Sequence, residues 1–264
     1  MNASHPGVPG AETVPLRAGD GYALTALRYP AHGAPRGHVV VAGATGVPQR
    51  FYRRFAEHAA TQGFNVLTLD YRGIGLSRPE SLRGFEMDYL DWARLDLAAA
   101  VDAVPEDGLP LFMVGHSYGG HAFGLLPNHA RVARLVTFAT GAGWHGWMPR
   151  AERLRVLAMW RVLGPLLTRW KGYLPWSLLG MGEDLPLPVY RQWRRWCSFP
   201  RYFFDDPAMR SERLAERFAA VRTPIVALNA IDDHWATPAS RDAFMAAYRL
   251  SLIHISEPTR LRRI

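Results

Sequence analysis

Leu111-Phe112-Met113-Val114-Gly115-His116-Ser117-Tyr118-Gly119-Gly120 is the stretch from which the architecture is read. Four apolar residues run into Gly115-x-Ser117-x-Gly119, and a helical pattern follows as far as Leu126. A short, continuous apolar run bounded in this way reads as a buried strand. Ser117 then stands on the turn from strand to helix, where its Oγ projects above the sheet edge. The spacing has a steric cause, since a side chain at either flanking glycine would meet neighbouring backbone. The Tyr118 N–H opens the helix, lacks a helical partner and is placed to donate to an oxyanion. Ser117 is therefore the candidate nucleophile.

Outward from this turn, short apolar runs alternate with helical patterns, which predicts an α/β fold with a mostly parallel central sheet and helices on both faces. Asp20-Gly21 is a turn signal between extended stretches at 13–17 and 23–29, an opening hairpin. Strands are expected at 38–43, 64–69, 134–140 and 224–230. Phe51, Phe55 and Ala59 recur at helical spacing until Gly63, and Leu90, Ala93, Leu97 and Val101 mark one face of a helix over 89–104. Thr237-Pro238 reads as an N-cap followed by proline at the first helical position, with the helix running to about Arg249.

Residues 141–222 break this rhythm. They hold seven of the nine tryptophans and several prolines, which predicts a helical cap inserted between two strands. The core is then discontinuous, 11–140 and 223–249. Within the cap, residues 151–174 carry Leu154, Leu157, Trp160, Leu163 and Leu167. A helix bent at Pro165 and folded over the site is preferred to a membrane-surface helix.

Three further segments carry a resemblance. Asp70-Tyr71-Arg72-Gly73-Ile74-Gly75-Leu76-Ser77 lies upstream of the serine motif. Gly43-Ala44-Thr45-Gly46 follows the third strand, and Ile231-Asp232-Asp233-His234-Trp235-Ala236-Thr237 follows the last. Together with the serine turn, they make the chain from about Ala11 to Arg249 resemble the α/β-hydrolase superfamily, in particular a bacterial subgroup with Ala-Thr-Gly and Asp-Asp-x-Trp-Ala at these places. The resemblance implies an α/β-hydrolase fold and a triad in the order Ser, acid, His. It implies Asp233 as the acid, with Asp232 the alternative. It makes 70–77 an Arg–Asp-braced turn, and it draws the second oxyanion donor from Ala44 or Thr45. The function implied is serine hydrolysis of a carboxylic ester, thioester or amide through an acyl-enzyme. A cofactor-free acyltransferase using the same residues and a non-catalytic binding protein are the alternatives. No cofactor or metal is implied, and the partner expected is a small, partly apolar acyl substrate.

The base is the difficulty. By order along the chain only His254 qualifies, yet Leu250 to Arg260 resembles, residue for residue, the translation of a transposon-end adapter used in DNA sequencing libraries. Residues 250–264 are therefore expected to be a non-native tail and His254 a decoy. The catalytic histidine, with a C-terminal strand and helix, is expected to be missing.

Composition narrows the remaining classes. The formal charge of +8 is carried almost wholly by dispersed arginines interspersed with acids, Lys171 being the only lysine, so no basic stripe for nucleic acid emerges. Cys197 is the only cysteine, which excludes an internal disulfide. No window suits a membrane span and no secretory signal is read, so the expected compartment is the cytoplasm.

Overall fold

The computed structural model describes residues 10–249 and the backbone of a strand at Leu252–Glu257. Eight strands form one sheet: β1 (Glu12–Arg17), β2 (Ala23–Tyr29), β3 (Gly37–Ala42), β4 (Phe64–Leu69), β5 (Leu111–His116), β6 (Val132–Phe138), β7 (Ile225–Ala230) and β8 (Leu252–Glu257). Their order is β1-β2-β4-β3-β5-β6-β7-β8. β1 and β2 form the expected hairpin and β2 meets β4 antiparallel, while every later pairing is parallel.

The period-2 geometry of a strand divides the core. Val39 and Val41 pack on one face with Ala56, Ala59 and Ala60 of the helix Arg53–Thr61. Val40 and Ala42 pack on the other with Trp92, Leu97 and Tyr118. Here the expected helix face is corrected. Phe51 and Phe55 are exposed, and Tyr52, Ala56, Ala59 and Ala60 are the buried set. β6 ends two residues earlier than read, because Ala139 takes a left-handed φ of 49° that no strand continues through.

Between β6 and β7 the chain is mainly helical. Arg150–Ala158, a π turn at Met159–Leu163 and Gly164–Lys171 make one continuous rod, and Leu187–Trp196 packs beside it. The π turn has a local cause: Pro165 brings no N–H to the helical ladder, and the preceding turn widens. The edge of β7 carries β8, whose backbone sets His254 opposite Ala227. This strand is drawn from the suspected tail, and its Leu-Ile-His-Ile stretch has the β-branched, apolar character that an open edge accepts. Residues 250–251 and 258–264 of the suspected tail lie outside the described residues, as do all side chains from 250 onward.

Candidate active site

Ser117 stands between β5 and the short helix Tyr118–Ala122 with φ 50° and ψ −106°, a conformation that costs about 1–3 kcal/mol for a residue with a side chain. Its surroundings hold it there. The Ser117 N–H donates to the Phe138 carbonyl at 2.9 Å, and its own carbonyl accepts from Gly120 N–H at 3.0 Å and from Thr140 Oγ1 at 3.0 Å. The glycines are required by contact distances. A Cβ on Gly119 would lie 2.0 Å from the Ala42 carbonyl oxygen, and one on Gly115 would lie 2.7 Å from Gly120 N.

Across the same cavity, of about 510 Å³, lies Asp233. Its Oδ1 accepts from the N–H groups of Trp235 and Ala236, both at 2.8 Å, so one carboxylate oxygen is fixed by the turn after β7. Asp232, the alternative, is exposed and does not line the cavity. The two candidate oxyanion residues of the loop after β3 also separate. The Ala44 N–H donates to Tyr52 Oη at 2.8 Å, whereas the Thr45 N–H makes no hydrogen bond among the described residues. The Thr45 hydroxyl is tied to Tyr89 Oη.

Tyr52 was not singled out in the sequence. It also joins His116 Nδ1 at 2.9 Å. Since its hydroxyl accepts from Ala44, its proton points to His116, which leaves that ring neutral with its proton on Nε2. Burial pushes the His116 pKa down, in keeping with this, against a smaller upward pull from Asp233. His116 lines the cavity and is the only histidine doing so among the described residues.

In the loop 70–77, Arg72 is braced by aspartates from outside the loop. Its Nε reaches Asp96 at 2.8 Å and its Nη1 reaches Asp20 at 2.6 Å. Asp70 instead accepts from the Gln49 N–H at 2.7 Å and the Leu76 N–H at 2.9 Å. Gly75 makes room for this, as a Cβ there would sit 2.3 Å from the Asp70 carboxylate.

The segment between β6 and β7 supplies Val156, Met159, Leu163, Trp176 and Trp193 to the cavity wall. It is tied to the core by Trp235 Nε1, which donates to Glu152 at 2.9 Å, and by Glu183 N–H, which donates to the Gly46 carbonyl at 2.8 Å.

A strand-to-helix serine turn on a sheet of this order defines an α/β-hydrolase. Within that class the chain belongs to the family described as serine aminopeptidase, S33, whose profile matches residues 33–191. A monoglyceride lipase of Saccharomyces cerevisiae is 30% identical over 97 residues, which cover 36% of this chain and 30% of the relative's length. A soluble variant of the monoglyceride lipase from the same yeast, solved with a substrate analog, superposes with a TM-score of 0.62 at 17% identity, covering 95% of this chain and 90% of that one. A thermostable carboxyl esterase from Bacillus coagulans, solved with glycerol, superposes with a TM-score of 0.58 at 18% identity over 94% and 90% of the two chains. At such identities the superpositions speak to the fold. Among the described residues no helix is long and apolar enough to cross a membrane.

Proposed function

We propose that the chain hydrolyses carboxylic esters with an apolar acyl or aryl portion, thioesters and amides being chemically equivalent substrates for the same residues. The observation that carries this is the strained Ser117 facing Asp233 across one apolar cavity, with the Thr45 and Tyr118 N–H groups, unbonded among the described residues, on neighbouring loops. Ser117 Oγ attacks the carbonyl carbon while a histidine takes its proton. The N–H groups of Tyr118 and Thr45 receive the developing oxyanion, the leaving alcohol departs with the proton, and water releases the acyl group by the reverse sequence. The second carboxylate oxygen of Asp233 orients the histidine. Trp176, Trp193 and Met159 line the place of the acyl portion. The helical segment 141–222 acts as a cap that excludes water from it.

The base belongs to none of the described side chains. His116 is held by Tyr52, and His121 donates its Nε2–H to the Gly141 carbonyl at 2.9 Å. We place the base C-terminal to Arg249, and not at His254, whose neighbours resemble translated adapter. Turnover of a short-chain aryl ester tests both statements in three versions: the chain as given, its His254→Ala variant, and a version continued past Arg249 by its natural gene. The last is expected to be fastest, with the first two alike and near background. In the active version Ser117→Ala should abolish turnover. Asp233→Asn should cut it by about 10⁴, and Asp232→Asn should leave it near the parent value. High turnover in the given chain that His254→Ala removes would overturn the assignment of the base. No turnover in any version, with no labelling of Ser117 by an aryl phosphonate, would leave a binding protein on this fold.

A further inference from the structure

We infer that the outer face of the helical rod Arg150–Lys171 docks on an anionic lipid surface. Seven of the twelve large apolar side chains exposed among the described residues fall between Leu154 and Met181. On the rod they form a row at i, i+4 spacing: Leu154 (69% exposed), Val162 (58%), Leu166 (62%) and Trp170 (63%), with Ala158 between the first two. The inner stripe of Val156, Met159 and Trp160 is buried. The rod is thus apolar on two sides, and only one of them is covered by protein.

Charge selects the occupant. Residues 150–182 contain six basic side chains and one acid, Glu152. Glu152 is turned toward the core, where it accepts from Trp235 Nε1. Arg155, Arg161 and Arg169 are exposed beside the apolar row, and Arg161 and Arg169 form no ion pair among the described residues. The Lys171 ammonium lies 4.1 Å from the Trp170 ring centroid, so an aromatic and a cation share the end of the row. A second copy of the chain is a poor fit, because a two-fold contact would set these cations against their own equivalents. An acidic bilayer surface neutralises them and buries the row in the plane of the headgroups. From Leu154 to Trp170 the row is about 24 Å long at helical rise, a length that lies along a membrane surface with every member in reach.

The cavity lies beside this face. Leu163 and Met181 are both exposed and among its lining residues, as is Arg155. Delivery of an apolar ester from the bilayer to this cavity rests on the hydrolase reading, whereas docking itself does not.

Co-sedimentation with vesicles tests the inference, using the Ser117→Ala chain beside the parent so that binding and hydrolysis are read apart. Both should bind vesicles of phosphatidylcholine mixed with phosphatidylglycerol and leave phosphatidylcholine alone largely unbound, with release by high salt. Each cation removed, in Arg161→Gln and Arg169→Gln, should lower partitioning about fivefold. Leu166→Ser with Trp170→Ser should lower it further, with an unchanged far-ultraviolet dichroism spectrum and urea midpoint showing that the fold is intact. Three outcomes would overturn the inference. The first is no binding to the anionic vesicles, and the second is equal, salt-insensitive binding to both kinds. The third is a concentration-dependent dimer, seen by light scattering, that Leu166→Ser dissociates while vesicles capture nothing.

Discussion

Tyr52 shows how much one hydroxyl decides. By taking the Ala44 N–H it leaves Thr45 as the neighbouring amide with no hydrogen bond among the described residues, and by donating to His116 it fixes that ring's tautomer. Tyr52→Phe strands both partners. Stability is expected to fall by about 1–3 kcal/mol in urea denaturation. In the active version of the chain, turnover should fall while KM stays nearly constant, because the loss is in alignment of the oxyanion donors. An unchanged turnover would separate Tyr52 from that alignment. His121 is a second such residue. Burial lowers its pKa to about 4, with the Gly141 carbonyl pulling weakly the other way. A depressed folded value means stability fully present above the unfolded value of about 6.5 and lost as pH falls toward 4, by up to about 3 kcal/mol. His121→Gln keeps a donor for Gly141 and should flatten this acid-side decline, as read from urea midpoints at neutral pH and near pH 4.5. An undiminished slope would assign the decline to other groups.

Among the elements, the serine turn was the most legible because its constraint is local. Backbone packs against Gly115 and Gly119, and no other residue type fits. Gly119→Ala is expected to cost about 3 kcal/mol, since the clash is with the Ala42 carbonyl of β3 and neither element can yield. Gly21→Ala, at a positive φ with open space around it, should cost only about 1 kcal/mol. Comparable losses in thermal or urea midpoints would refute the steric account. Other features turned on contacts distant in sequence. Asp232 and Asp233 are chemically alike, and only the turn that binds Asp233 Oδ1 to two N–H groups separates them. The rod Arg150–Lys171 is apolar on both sides, so periodicity did not decide which stripe faces inward. The apolar residues read from the sequence are divided: Trp160 is buried, Leu157 and Leu167 are half-covered, and Leu154 and Leu163 are exposed. Which acids brace Arg72 was not legible because Asp96 lies on a different element, where burial raises its pKa to about 6 against the pull of Arg72.

At the scale of the molecule, the alternation of strands and helices announced the sheet, and parallel pairing followed from the length of the crossovers. How the segment between β6 and β7 sits on the core was not legible, since it depends on single bonds such as Trp235 Nε1 to Glu152. Trp235→Phe removes that bond while keeping the ring volume close. Tryptic cleavage at the arginines of residues 150–171 should then accelerate several-fold, with a midpoint lowered by about 1 kcal/mol. Unaltered cleavage would show that the segment is held by packing alone.

The single lysine has a practical corollary. Lys171 carries the only side-chain amine of the whole chain, and it lies over Trp170 at the end of the exposed row. Apart from the terminal amine, an amine-reactive dye has one address, beside the Trp170 indole. The same address governs immobilisation. Coupling through amines to a bead or sensor chip would turn the exposed row toward the support, and with it Leu163 of the cavity wall. A tethered sample would then look inert for reasons of orientation, and attachment through an introduced thiol on the β1–β2 hairpin, at the far edge of the sheet, would leave the cavity accessible.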